Sequence, residues 1–270
     1  MKNKKIACLK KILRKEKLPI IIVGFYRSGT SLVRRLLDAH SQIHCPPEIK
    51  FFRDFYGYYP KDDLAHLRFF FTVRTMGIEE EELLRIFGRA FIYIHECAAA
   101  RAKKKRWGDK NPENVIFLRQ WDILLPEGFL FIHVVRNPLD ALASLKEMNF
   151  SRTIPAEFNE RVSLYAQFRE AGEKYVNDYP DRSFTLSYES LVSNPVGVLN
   201  ELFHFLGERF EPEVMTSFCD AERGQGLEDP KVSYTREIHL MSVGRCRRDL
   251  THQEIDLASS RLQKWLEPCL

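Results

Sequence analysis

The stretch PIIIVGFYRSGTSLVRRLL, residues 19–37, decides the fold of this chain. Its β-branched residues 20–23 form an apolar run that ends at Gly24 and predicts a buried strand. The turn 26–31 then leads into an apolar pattern of helical spacing at Leu32, Val33, Leu36 and Leu37. A buried strand that feeds a glycine-bearing loop into a helix brings unpaired N–H groups and the positive end of the helix dipole together. The stretch therefore predicts an anion-binding loop.

The spacing of Gly24 and Gly29 matches the phosphate-loop pattern G-x-x-x-x-G, but Thr30 stands where a nucleoside triphosphatase needs its lysine. Without that ammonium group the β and γ phosphates lack a point charge, which disfavours triphosphate hydrolysis. Arg27 offers instead a guanidinium group suited to bidentate binding of an oxyanion. The alternative is a Ser/Thr-capped helix that follows a core strand and binds nothing.

The composition bounds the class of protein. With 270 residues, of which 44% are hydrophobic and 29% charged, the chain can bury a full core, which excludes disordered and membrane-spanning classes. A net charge of +4 suits an anionic ligand but is too small for nucleic-acid binding.

The six cysteines include no C-x-x-C pair, which argues against a disulfide scaffold or a zinc site. We expect a cytoplasmic protein without a bound metal.

Residues 1–18 read as a basic N-terminal extension. Lysines surround an apolar pattern of helical spacing at Ile6, Leu9, Ile12 and Leu13. The segment lacks the apolar centre of a signal peptide, and no run in the chain approaches the roughly 20 apolar residues of a membrane-spanning helix. Two interpretations stay open, a solvated helix and an amphipathic helix that contacts an anionic membrane surface.

Strand and helix patterns alternate along the chain. Further apolar β-type runs occupy 128–135 and 183–187, and helical patterns occupy 79–102, 114–121, 139–148, 158–179, 195–206 and 251–267. This alternation predicts an α/β fold of the P-loop NTPase-like kind, three layers with a central parallel sheet flanked by helices. With no repeat and no linker, residues 1–270 are expected to form a single domain.

Three other segments lack a strand pattern. The aromatic-rich segment 51–76 is expected to be irregular or helical cover beside a pocket. The basic run 103–106 is expected to be a solvated edge. Residues 220–248 are rich in glycine and charge, which predicts a loop.

A second strand-to-helix junction carries similar chemistry to the first. Arg136 ends the run 128–135, and Ser144 follows two helical turns later. Ligands of open α/β sheets bind outside the carboxyl ends of the strands, so both junctions belong to one edge of the sheet. Two oxyanion sites on one edge suggest a nucleotide that carries two separated phosphates.

Five motifs resemble those of sulfotransferases that use 3′-phosphoadenosine 5′-phosphosulfate (PAPS). They are RSGTSLVRRLLDAH at 27–40, CPPE at 45–48, GDKNP at 108–112, VVRNPLDALAS at 134–144 and SYESL at 187–191. Within that superfamily the chain is most similar to the tyrosylprotein sulfotransferase type, over residues 19–250. The late segment with Arg245 and Arg247 lacks that type's lysine and is more similar to the loop of bacterial sulfotransferases.

The resemblance implies PAPS as co-substrate and a role for each matching residue. Glu48 would be the general base, and Lys110 would contact the transferred sulfonate. The residues implied in binding the 5′-phosphosulfate are Arg27, Ser28, Gly29, Thr30 and Ser31, and those implied at the 3′-phosphate are Arg136 and Ser144. Tyr188 would lie near the adenine, and Arg245 and Arg247 would close over the nucleotide. Because a histidine is the base in the cytosolic branch of the superfamily, His40 and His44 stay open as alternative bases.

The acceptor is not determined by these motifs. It can be a small molecule, a glycan or a peptide: the aromatic segment 51–71 suggests an apolar or phenolic pocket wall, whereas the basic run 103–106 would suit an acidic partner. Two other functions compete. A small-molecule kinase would need a lysine at position 30 and an acidic Mg²⁺ ligand, and a non-catalytic nucleotide-binding module would not need Glu48 and Lys110. The sequence does not indicate an oligomeric state.

Overall fold

The computed structural model describes residues 18–57, 63–147, 153–219 and 236–266. Its centre is a parallel sheet in the order β2-β3-β1-β4-β5. The strands are β1 (Ile20–Gly24), β2 (Ile43–His44), β3 (Arg106–Lys110), β4 (Leu130–Val135) and β5 (Ser183–Ser187). The α-helices are α1 (Thr30–Asp38), α2 (Phe51–Tyr56), α3 (Asp63–Thr75), α4 (Glu80–Arg101), α5 (Leu118–Leu124), α6 (Pro138–Lys146), α7 (Phe158–Asp178), α8 (Tyr188–Ser193), α9 (Pro195–Leu206), α10 (Val214–Ser217), α11 (Cys246–Asp249) and α12 (His252–Leu262). Short 3₁₀ helices occupy Pro112–Phe117, Pro180–Arg182 and Gln263–Trp265.

The sheet divides the core into two layers, which confirms the predicted α/β fold with a parallel sheet flanked by helices. Because successive strand residues point to opposite faces, Ile21 and Val23 of β1 pack in one cluster and Ile20 and Ile22 in the other. The first cluster includes residues of α4, α5, α7 and α12, and the second includes residues of α1, α8 and α9. Gly24 allows β1 to lie close to β4, since an added Cβ would come within 2.4 Å of the Val134 carbonyl oxygen.

The apolar runs correctly predicted β1, β4 and β5, but β3 was not predicted. Lys103 and Lys105 of the basic run are exposed, as expected of a solvated edge, whereas its last residue differs. Arg106, expected on a solvated edge, is the first residue of β3 and is buried. Its guanidinium donates to the carbonyl oxygens of Leu18, at 2.5 Å, and Leu206, at 2.9 Å, and lies 3.4 Å from a Glu208 carboxylate oxygen. A charged strand is stable at the centre of this fold because its charges are paired.

The segment 51–76, expected to be irregular or helical, forms α2 and α3 in its described parts, apart from the turn residues Gly57 and Met76. The pattern at 114–121 is split between the 3₁₀ helix Pro112–Phe117 and α5. Within the segment predicted as a loop, residues 220–235 lie outside the described residues, and α11 adds one helical turn at its end. The basic N-terminal segment also lies outside them, apart from Leu18, and among the helices that are described none is long and apolar enough to cross a membrane.

Helix α4 ends in a turn that favours glycine, and this turn gives a stability prediction. Lys103 has φ 58°, while the N–H groups of Lys103 and Lys104 donate to the carbonyl oxygens of Ala100 and Ala99. This is the Schellman arrangement, in which the left-handed residue is usually glycine. Lys103→Gly should raise the free energy of unfolding by about 0.5–1 kcal/mol, because relief of the strained φ outweighs glycine's extra unfolded-state entropy. In urea denaturation, Lys105→Gly is the control and should give no gain; equal effects of the two changes would contradict the argument.

Candidate active site

The loop between β1 and α1 contains two residues with positive φ. Arg27 has φ 64° and Gly29 has φ 94°, so two of three consecutive residues adopt the left-handed conformation. Gly29 is the N-cap of α1 and offers no side chain to its first-turn N–H groups. An added Cβ on Gly29 would come within 2.5 Å of the Tyr188 ring, so the ring packs directly on the loop. Tyr188, the predicted adenine contact, thus packs against the predicted anion-binding loop. The close approach of its ring leaves no room for a side chain at position 29.

Arg136 connects the two strand-to-helix junctions. The residue is 5% exposed. Its guanidinium donates to the Arg27 carbonyl oxygen at 2.7 Å and to the Ser242 carbonyl oxygen, and lies 4.5 Å from the centre of the Tyr188 ring. Burial lowers the pKa of Arg136. Its Nε has no hydrogen-bond partner within the described part of the chain. Arg136 is therefore a buried cation that retains an unused donor.

Ser144 is hydrogen-bonded by two further arginines. Its Oγ accepts from Arg27 Nε at 3.1 Å and from Arg245 Nη1 at 3.2 Å. Three guanidinium groups, counting Arg136, thus gather where the sequence predicted two separate phosphate sites. The side chain of Arg27 turns toward the second site, although the resemblance assigned it to the first.

The late segment is held over α6 by a buried carboxylate. Asp140 accepts from the backbone N–H groups of Gly244, at 2.6 Å, and Cys246, at 2.9 Å. This anchor brings Arg245 to Ser144, where it is buried and also paired with Glu147 and Asp249. Arg247 is exposed. Of the two arginines expected to close over a nucleotide, the structure brings Arg245 into the cluster and leaves Arg247 outside it.

Lys110 and Glu48 are paired at the carboxyl end of β3. The Lys110 ammonium donates to a Glu48 carboxylate oxygen and, at 2.9 Å, to Ser31 Oγ in the first turn of α1. The Lys110 side chain is fully buried, whereas 15% of the Glu48 side chain is exposed. Lys110 is therefore a buried cation at the end of a strand and not a solvated surface lysine. The loop after β1 has no lysine at position 30, but the ammonium group of Lys110, from the neighbouring strand β3, contacts Ser31 at its end.

The two histidines kept as alternative bases differ in their surroundings. His40 Nδ1 accepts from the Gln42 N–H at 3.1 Å, its Nε2 lies 2.9 Å from the Arg209 carbonyl oxygen, and its ring stacks on Phe203. Both nitrogens of His40 are thus engaged by the backbone, which disfavours it as a base. His44 is partly exposed, and its Nδ1 lies 3.1 Å from Asp38 Oδ1. A carboxylate can orient a histidine base, so His44 stays open.

Glu113 is a site residue that the sequence analysis missed. Its buried carboxylate accepts from Tyr26 Oη and Arg53 Nε, both at 2.5 Å, and from Lys50 Nζ at 3.3 Å. Burial, with the Glu113 charge, raises the pKa of Tyr26. The carboxylate thereby ties the loop after β1 to the segment that follows Glu48. These partners are 60 to 87 residues away, and the sequence signal that was overlooked is its position directly after GDKNP.

A cavity of about 550 Å³ lies beside this site, as expected for the aromatic segment. Its described lining begins at Ile49, next to Glu48, and continues along α2, α3 and α4. The aromatic members of the lining are Phe51, Phe55, Phe69, Phe87 and Phe91. We refer to it as the aromatic cavity.

Comparison with known sequences gives consistent matches. The model of the family described as "Sulfotransferase family" matches residues 19–212. A protein of Aquifex aeolicus without an assigned activity is 26% identical over 249 residues, which are 86% of this chain and 31% of that protein. A Caenorhabditis briggsae protein named "Putative protein-tyrosine sulfotransferase" is 25% identical over 206 residues, 73% of this chain and 68% of that protein. The chain thus spans about a third of the length of the Aquifex relative.

Solved structures with the same fold include two sulfotransferase domains. The domain from the Synechococcus PCC 7002 olefin synthase has a TM-score of 0.62 and 19% identity, covering 93% of this chain and 95% of that one. The domain from the curacin biosynthetic pathway has a TM-score of 0.60 and 18% identity, covering 93% and 100%. A mouse sulfotransferase complexed with PAP has a TM-score of 0.53 and 13% identity, covering 94% and 86%. At these identities the likeness is one of fold.

Proposed function

Because the chain belongs to the sulfotransferase family, we propose that it transfers a sulfuryl group from PAPS to an acceptor hydroxyl or amine group. The observation that carries this proposal is the pairing of Lys110 with Glu48 against Ser31, at the same sheet edge as the arginine cluster around Ser144. An anion site alone would serve any nucleotide-binding module. A buried ammonium beside a partly exposed carboxylate adds a group that can stabilise developing negative charge and a group that can accept a proton, which supports a transfer reaction.

The donor would lie along the carboxyl edge of the sheet. The first-turn N–H groups of α1, with Ser28, Gly29, Thr30 and Ser31, would bind the 5′-phosphosulfate. Arg136, Ser144 and Arg245 would bind the 3′-phosphate, and Arg27 would lie between the two phosphates. Tyr188, which packs against Gly29 and Arg136, would contact the adenine. Closure of the exposed Arg247 over the nucleotide stays part of the proposal.

The reaction would proceed as an in-line displacement. The acceptor oxygen forms a bond to sulfur while the bond from sulfur to the bridging phosphate oxygen breaks. Glu48 accepts the acceptor's proton, and Lys110 stabilises the charge that grows on the leaving nucleotide. PAP, the 3′-phosphoadenosine 5′-phosphate, is then released. His44, oriented by Asp38, is the alternative base.

The assignment of the 3′-phosphate site predicts a preference between two nucleotides. PAP should bind about 10- to 100-fold more tightly than 5′-AMP, because a charged hydrogen bond to a buried arginine contributes about 1.5–3 kcal/mol. Arg136→Ala should remove most of this difference, measured by isothermal titration calorimetry. Arg119→Ala, an exposed arginine of α5, is the control and should leave the difference intact. Equal affinities of the unmodified protein for PAP and 5′-AMP would refute the site.

A further inference from the structure

Glu48 lies between β2 and α2, where residues 45–50 form neither helix nor strand. Its position therefore depends on contacts with other segments. Before Glu48, α1 holds the backbone of Cys45: Asp38 Oδ1 accepts from the Cys45 N–H at 2.9 Å, and Arg34 Nη1 donates to the Cys45 carbonyl oxygen at 2.7 Å. The segment is thus fixed to the donor-binding helix three residues before Glu48.

After Glu48, the segment is held by Glu113. The Lys50 ammonium lies 3.3 Å from the Glu113 carboxylate, and Arg53 Nε donates to that carboxylate at 2.5 Å. Because the Glu113 side chain is only 1% exposed, both ion pairs are screened less by water and salt than surface pairs are. The segment is thus fixed a second time, two and five residues after Glu48.

Glu113 is itself fixed to the other two parts of the site. It follows Lys110 by three residues in the chain, and its carboxylate accepts from Tyr26 Oη, in the loop after β1, at 2.5 Å. Burial and the charges of Glu113 and Glu48 raise the pKa of Tyr26, so its hydroxyl keeps the proton that it donates. One buried carboxylate therefore joins the donor loop, the end of β3 and the segment that carries Glu48.

We propose that Glu113 is a positioning residue, which holds Glu48 where it can accept the acceptor's proton beside Lys110 and the bound donor. The inference rests on the proposed function for the role of Glu48, and on the contacts of Glu113 alone for the positioning. Displacing a reacting group by about 1 Å can lower a rate about 100-fold, even when the cause is remote from the chemistry. Loss of the Glu113 contacts should therefore appear in kcat.

The test variant is Glu113→Gln in the full chain. Tyr26 and Lys50 donate to one carboxylate oxygen and Arg53 to the other, so an amide nitrogen at either place faces a donor. We expect kcat to fall about 10- to 100-fold while PAP affinity changes less than about threefold. Rates are measured with labelled PAPS and whichever of 2-naphthol, a tyrosine peptide and glucose the unmodified protein sulfates fastest.

The matched control is Asp122→Asn. Asp122 also accepts from a tyrosine and an arginine, from Tyr175 Oη at 2.9 Å and Arg182 Nη2 at 2.7 Å. Arg182 directly precedes β5, so this cluster lies at the edge of the sheet opposite the site. Asp122→Asn should lower the melting temperature but leave kcat unchanged, which separates positioning from general stabilisation.

A double variant tests whether Glu113 acts through Glu48. In the Glu48→Gln background, Glu113→Gln should lower kcat less than about twofold further, because the residue that it positions is no longer a base. Multiplied losses, or an unchanged kcat in Glu113→Gln alone, would overturn the proposal. If Glu113→Gln does not fold, Arg53→Met takes its place in both measurements, since it keeps an unbranched stem and leaves Lys50 paired with Glu113.

A structural readout distinguishes failure of this proposal from failure of the proposed function. In hydrogen exchange, the backbone amides of α2 should exchange at least about tenfold faster in Glu113→Gln than in the unmodified protein, while those of α6 should not change. Equal exchange of α2 in the two proteins would show that Glu113 does not hold the segment, and would overturn the proposal even if PAP binds. An unmodified protein that binds no PAP would refute the proposed function instead.

Discussion

Glu48→Gln is expected to lower kcat for sulfuryl transfer at least about 100-fold while PAP affinity changes less than about twofold. The amide has the size of the carboxylate but cannot accept a proton near neutral pH. Glu48 is assigned to the acceptor and not to either phosphate, so the loss should appear in kcat. The measurement is initial-rate kinetics with labelled PAPS, beside calorimetry with PAP.

Two comparisons make the Glu48 result specific. Glu96→Gln removes an exposed carboxylate of α4 and should leave kcat unchanged. His44→Gln tests the alternative base, whose ring lies 3.1 Å from Asp38. If Glu48→Gln kept most of the activity and His44→Gln lost it, the proton would go to the histidine. The Glu48–Lys110 pair would then be a structural ion pair.

Folding of the Glu48→Gln variant needs its own measurement, because Lys110 is fully buried. Removing one member of a buried ion pair leaves the other charge in a poor environment. Glutamine keeps a side-chain oxygen that can accept from the ammonium, and Ser31 Oγ still accepts from it at 2.9 Å. We therefore expect a modest loss of stability, which thermal denaturation can separate from the loss of kcat.

The parts of the fold that the sequence predicted are those whose signal is local. β1 and β4 are continuous apolar runs because both faces of a parallel sheet are covered, and such runs are recognisable without knowing their partners. β3 reads RWGDK, and its charges become tolerable only through Leu206, Glu48 and other distant groups. No local pattern reports those contacts, so the strand was missed.

The same distinction applies to the site. Arg136 and Ser31 could be located in advance because the carboxyl ends of parallel strands share one edge of the sheet. The pairing of Glu48 with Lys110 and the turn of Arg27 toward Ser144 depend on side-chain direction, which spacing does not determine. Glu113 was missed because its importance comes from Tyr26 and Arg53, which reach it from distant segments.

Lys110→Met should likewise lower kcat at least about 100-fold, since the transition state loses the ammonium that meets its growing charge. Methionine fills much of the same apolar volume, and the Glu48 carboxylate left behind is 15% exposed, so water can solvate it. The fold should therefore survive this change better than Glu48→Ala, which strands a fully buried ammonium.

The double variant Glu48→Gln/Lys110→Met decides whether the two residues act as one unit. If the carboxylate and the ammonium serve the same transition state, its kcat should be close to that of the worse single variant, since residues that act together are strongly non-additive. Multiplied losses would mean that the residues act independently. A Lys110→Met variant with nearly full kcat would leave Lys110 the role of holding Ser31 and Glu48 in place. The charge on the leaving nucleotide would then have to be met by the arginines around Ser144.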